Sequence, residues 1–162
     1  MVTSYRSDWV LLTYRLPREP SAPRLSLWRA MRRLGALQLG DGLVALPHSP
    51  RNLEHLQWLA ADIAEHDGTA SVWRARADSS RDDHAHMAQM RTSADEEYRA
   101  VLDEAESVSV GAMSTTERRR ATRRLRGQLR RIALRDHFQA PTGGRARAAV
   151  QNLARSAEAV PA

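Results

Sequence analysis

Apolar residues in the first half of the chain change period repeatedly, and each change marks an element. Residues 9–14, WVLLTY, form a nearly continuous apolar run with β-branched and aromatic members, which predicts a central strand flanked by neighbours. Pro17 and Pro20 end it. A helical period follows: Leu27, Trp28, Ala30, Met31 and Leu34 share one side, and Arg29, Arg32 and Arg33 take the other. Ser21 is read as its N-cap, Pro23 as a first-turn residue and Gly35 as its stop. Two short apolar runs, 36–39 and 43–46, flank Gly40-Asp41-Gly42, a hairpin signal. Ser49-Pro50 opens a second helix with an apolar stripe of Leu53, Leu56, Leu59, Ala60 and Ile63, closed by Asp67-Gly68. Residues 69–75 then alternate as a fourth strand, with Val72 and Trp73 on opposite faces. The order β-α-β-β-α-β is the ferredoxin-like split motif, assigned to residues 1–77.

From residue 78 the pattern becomes wholly helical, giving an α+β chain whose 78–162 part is an extension of about three helices. Met87, Met90, Ala94, Tyr98, Val101, Ala105 and Val108 recur every three or four residues, which predicts one long helix. Its remaining faces are read as solvated and acidic: Asp82, Asp83, Asp95, Glu96, Glu97, Asp103, Glu104 and Glu106. Gly111 breaks it, and Ser114-Thr115-Thr116-Glu117 spells a capping box. The next helix carries a narrow stripe of Ala121, Leu125, Leu129 and Ile132 amid many arginines. Ala140-Pro141-Thr142-Gly143-Gly144 separates it from a last helix with Ala146, Val150, Leu153 and Ala157 on one face, and the tail after Glu158 is expected to fray.

Charge sharpens the picture. All 25 basic residues are arginine and the net charge is +6, so the basic surface consists of planar forks suited to oxyanions. There is no lysine for Schiff-base chemistry and no cysteine for a disulfide, thiolate nucleophile or zinc-thiolate site. The absence of a long apolar run and of a signal-peptide pattern points to a cytoplasmic chain without membrane association.

Two groups of arginines carry candidate chemistry. Arg119, Arg120, Arg123, Arg126 and Arg130 on the fourth helix, with Arg29, Arg32 and Arg33 on the first, could contact nucleic-acid phosphates. The acidic helix just before offers the competing use, an antiparallel hairpin that sets the two charge sets side by side, each exposed pair giving roughly 0.2–1 kcal/mol. No aromatic interleaving and no helix-turn-helix accompany the arginines. The second group is Arg24, one turn before Trp28, with Tyr14 and Arg15 at the strand end. Together they could hold a small oxyanion or carboxylate, or Arg24 could simply stack on Trp28.

Reaction chemistry finds no foothold. His84 and His86 point to different helix faces, Asp62 and His66 read as a helix-end feature, and His48, His55 and His137 lack partners at metal spacing. There is no Gly-x-Ser-x-Gly elbow and no phosphate loop after a strand. No catalytic residue, metal or cofactor is assigned, and a non-catalytic role is expected.

The positions Trp9, Leu16-Pro17, Pro20-Ser21, Arg24, Trp28-Arg29, Leu34-Gly35-Ala36, Gly42 and Leu46-Pro47, continued by Glu97-Tyr98 and Arg135-Asp136-x-Phe138, resemble the N-terminal domain of the ChrB family, linked to bacterial chromate resistance. The layout also resembles, more distantly, the middle domain of PaaX-type repressors and the small nuclease-like subunit of CRISPR adaptation. The ChrB resemblance implies a transcriptional regulator that releases DNA when the oxyanion appears. Members of that family carry a further C-terminal domain, so sensing by these residues alone is not implied. The nuclease-like relatives use an aspartate at the end of the first strand. Here Arg15 stands there, and an arginine cannot ligate a cation. Two other readings stay open: a homodimeric interaction module that does not bind DNA, and a metal-free enzyme or binding protein for a small anionic metabolite.

Overall fold

A computed structural model describes residues 7–158. The elements are β1 (Trp9–Arg15), α1 (Ser21–Leu34), β2 (Leu37–Gly40), β3 (Leu43–Pro47), α2 (Pro50–Glu65), β4 (Thr69–Ala75), α3 (Ser80–Val110), α4 (Thr115–Arg135) and α5 (Gly143–Glu158). Between Ala88 and Gln89 the chain divides into two compact units, with α3 contributing to both. The fraying expected after Glu158 lies outside the described residues.

The first unit holds a four-stranded antiparallel sheet in the order β2-β3-β1-β4. β3 lies between β1 and β2, the parallel strands of the first β-α-β unit, which is the split that the sequence pattern predicts. The register places Val10 opposite Leu46 and Leu12 opposite Val44. These four residues are fully buried, as are Leu56 and Ile63 of α2, while Leu27 and Met31 are the buried residues of α1. Each such side chain contributes about 1.5–3 kcal/mol by leaving water. The continuous apolar run of β1 follows from its central place.

Local signals fix the connections. Gly35 adopts φ 67°, and the amides of Gly35 and Ala36 donate back to Arg32 and Met31 carbonyls, ending α1. In the β2–β3 turn, Gly42 has φ +71° and its carbonyl accepts from the Tyr14 amide at 2.7 Å; a Cβ there would lie 2.3 Å from the Tyr14 oxygen. Ser49 caps α2 by accepting from the Asn52 amide, and the buried Asn52 side chain donates to the Pro47 carbonyl. One expected cap moves. Pro20, not Ser21, precedes the first helical residue, and no side chain caps α1. Pro20 already has the extended backbone of an entry residue, so Ser21 falls within the first turn.

The second unit is helical. Tyr98, Val101 and Ala105 of α3 form one cluster with Leu125, Leu129 and Ile132 of α4 and Val150 and Leu153 of α5. Ser114 and Glu117 form the reciprocal capping box that opens α4. No helix among the described residues is long and apolar enough to cross a membrane.

Two aspartates depart from the expected solvated acidic face. Asp83, 1% exposed, accepts from the Ser7 amide at 2.9 Å and the Trp9 indole N–H at 2.7 Å. Asp95, 5% exposed, accepts from the Thr142 amide at 2.7 Å and is paired with Arg99 at 2.8 Å. Desolvation alone would raise the Asp83 carboxyl, but the Ser7 and Trp9 donors outweigh it and hold the group below its ordinary 3.8. The Thr142 amide does the same for Asp95 against a smaller desolvation effect, helped by Arg99. Each aspartate thus acts as a structural acceptor inside its own unit.

Candidate functional site

Two sets of α4 arginines are placed differently. Arg124 and Arg135 project toward α3, where they form ion pairs with Glu104 and Glu97; the Arg135 Nε donates to Glu97 at 2.9 Å. Arg119, Arg123, Arg126 and Arg130, spaced by four, three and four residues, lie along another flank, beside Arg120. The buried stripe of Ala121, Leu125, Leu129 and Ile132 occupies a third direction. The side-by-side charge pairing expected from the sequence is therefore realised at two arginines of α4, while the apolar stripe of α4 enters a cluster shared with α3 and α5.

The other flank stays open. Arg119, Arg120, Arg123, Arg126 and Arg130 are all exposed, and none of them makes a salt bridge among the described residues. Arg120 exerts only a minor pull on the Glu117 carboxyl, which its hydrogen bonds with Ser114 already hold low. Thr116, Arg119, Arg120, Arg123 and Arg124 line a shallow groove of ≈ 520 Å³. From Arg119 to Arg130 the ridge extends about 16 Å at the helical rise, enough to follow several phosphates of one duplex strand.

In the first unit, Tyr14, Arg15, Arg24 and Trp28 line a single open cleft of ≈ 580 Å³ together with Leu16, Arg18, Leu27, Met31, Gln38, Asp41 and Gly42. The four residues singled out in the sequence thus come together. Arg18 joins them from the β1–α1 connection, where no periodicity marks it. Arg24 does not stack on Trp28; the Arg32 guanidinium lies 5.0 Å from that ring's centre instead. Trp28, grouped with the apolar side of α1, is 48% exposed because it stands at the cleft's edge under Arg32. Arg29, Arg32 and Arg33 are exposed on α1.

Three histidines have local contacts. His84 Nδ1 is 2.6 Å from the Ser80 carbonyl, His66 Nδ1 is 2.8 Å from the Asp62 carbonyl, and His86 packs edge-on against Trp9. Among the described residues, no three His, Asp or Glu side chains gather where they could hold a metal ion.

Comparison with known proteins adds a family. The model for "Protein ChrB, N-terminal" matches residues 24–161. Protein ChrB of Cupriavidus metallidurans is 35% identical over 101 residues, which are 62% of this chain and 28% of that protein, so the match spans little more than a quarter of the relative. No solved structure matches the chain. The matched region takes in both the arginine-lined cleft from Arg24 onward and the whole of α4. By that extent of match, the chain belongs to the ChrB family, tied to chromate resistance, and corresponds to the N-terminal region of that family.

Proposed function

We propose that this chain is a cytoplasmic, non-catalytic transcription regulator of the chromate-resistance type, which holds duplex DNA through the open flank of α4. The observation that carries this reading is the row Arg119, Arg123, Arg126 and Arg130, exposed and without carboxylate partners among the described residues. A row of guanidiniums along one helix neutralises phosphates and releases counterions whatever the base sequence. The row thus supplies affinity and orientation. Base-edge contacts would be needed for choice of operator.

Family membership supports the regulatory side of the reading, since the ChrB resemblance implies a repressor of a chromate-efflux operon. The matched part is only a fraction of the curated relative, so the response to the oxyanion is proposed for the ChrB type as a whole. Electrophoretic mobility shift with the promoter of the chain's own operon tests the reading. Binding that survives 0.1 M salt and competes poorly with random duplex supports it. No complex at any salt, or equal binding by a variant with Arg119, Arg123, Arg126 and Arg130 all changed to Gln, removes it.

A further inference from the structure

The cleft between β1, the start of α1 and the β2–β3 hairpin combines three features. The first is charge. Arg15 ends β1, Arg18 follows in the connection and Arg24 sits in the first turn of α1, and all three guanidiniums line the same concavity. None of the three makes a salt bridge among the described residues, although Asp41 lines the same cleft. Three cations held in one concavity repel each other unless an anion enters.

The second feature is an apolar wall. The exposed Trp28 and the half-buried Tyr14 and Leu16 supply it, over the buried Leu27 and Met31, within a lining that is otherwise polar. At ≈ 580 Å³ the cleft lies within the usual range of small-molecule sites. A water molecule takes about 30 Å³ in the liquid, so a five-atom oxyanion would leave most of this space wet and its apolar wall unused.

The third is a pair of acceptors on the hairpin. The Gln38 amide nitrogen donates to the Gly40 carbonyl at 2.7 Å, which leaves the Gln38 carbonyl oxygen and the Asp41 carboxylate as acceptors. A complementary ligand therefore offers N–H donors at that end.

We infer that this cleft binds a nucleoside monophosphate, its phosphate held by Arg15, Arg18 and Arg24, its base against Trp28 and Tyr14, and an amino or imino edge given to Gln38 and Asp41. A phosphate monoester carries close to two negative charges and three acceptor oxygens, which suits three planar donors. The planar base supplies the apolar area that a bare oxyanion lacks. The site is independent of the α4 ridge, so it stands or falls separately from DNA binding.

Isothermal titration calorimetry of the whole chain with AMP, GMP, CMP and UMP, each beside its nucleoside and inorganic phosphate, tests the inference. At least one monophosphate is expected to bind about tenfold or more tighter than both its nucleoside and phosphate, because only it fills both halves of the cleft. R24Q, R18Q and W28L should each weaken that binding by about tenfold, whereas R119Q should leave it unchanged. These side chains are exposed, and circular dichroism checks that each variant folds. The inference is overturned if none of the four binds, if phosphate alone binds as well, or if R119Q is as damaging as R24Q.

Discussion

The arginines around the β1–α1 cleft and those along α4 are chemically alike and differently presented. In the cleft, three guanidiniums share a concavity with aromatic and aliphatic walls. On α4, four stand in a row along an exposed helix flank. A concave set suits a compact anion with an apolar body. A linear set suits a repeating polyanion, whose phosphates recur along a line. The folding charges lie elsewhere. Asp83 and Asp95 are buried and held largely by N–H donors of their own unit, so neither arginine set is needed to satisfy them. The two arginine sets are thus free for ligands, and their removal should separate function from stability.

Changing Arg119, Arg123, Arg126 and Arg130 together to Gln gives the largest expected effect. Duplex affinity near 0.1 M salt should fall on the order of a thousandfold or more, by the counterion argument with four phosphates released, while the melting temperature stays within a degree or two. Loss of the fold in this variant would show that the row is structural and would erase the contrast between the two kinds of charge.

Asp83→Ala comes next. It leaves the Ser7 amide and Trp9 indole N–H without their acceptor in a buried place, so chemical denaturation should show a loss of about 1–3 kcal/mol. Asp95→Ala should cost a similar amount through Thr142 in the second unit, with the cleft unaffected in ligand titrations. A variant of either kind as stable as the parent would mean that the buried carboxylates are not the anchors described.

Acid should act through the same two groups. Both carboxyls are held below 3.8 in the folded state, so the stability they contribute is complete above that value. It is lost as the pH falls from there through the lowered values, when the folded chain must take up protons that the unfolded chain has already bound. Urea midpoints across this range should drop for the parent and stay flatter for the double Asp83→Asn, Asp95→Asn variant.

The smallest effect belongs to the α3–α4 ion pairs. Glu104→Gln or Glu97→Gln should change stability by only about 0.2–1 kcal/mol, since each pair is partly solvated and Val101, Ala105, Leu125 and Leu129 are buried in a cluster shared with α5. A larger loss from Glu97→Gln would promote the charge pairing from trim to scaffold.

Much of this arrangement is legible in the sequence, because periodicity reports burial directly. The stripes Val101, Ala105 and Leu125, Leu129, Ile132 are buried where the pattern places them, and β1 reads as central because it is apolar on both faces. Periodicity fails where a polar residue occupies a buried place. Asp83 stands one turn before Met87 on the α3 stripe, yet its donors come from Ser7 and Trp9, more than seventy residues away. Nothing in the local pattern marks so distant a partner.

Arg18 is hidden for another reason. It lies in an irregular connection, so only the folded β1–α1 path brings it beside Arg15 and Arg24. On α4 the sequence shows arginines on several faces, but α3 is acidic on several faces too. Which flank pairs and which stays open is decided by the apolar packing that orients the two helices.

The salt dependence of duplex binding addresses the α4 row most directly. Fluorescence anisotropy of a labelled promoter fragment, titrated from about 50 to 300 mM salt, gives the slope of log affinity against log salt. With all four arginines on phosphates, substituting them should make that slope shallower by about 3.6, at roughly 0.9 for each phosphate no longer neutralised. An unchanged slope in the substituted chain would contradict DNA binding by this flank, because the row would then hold no phosphates.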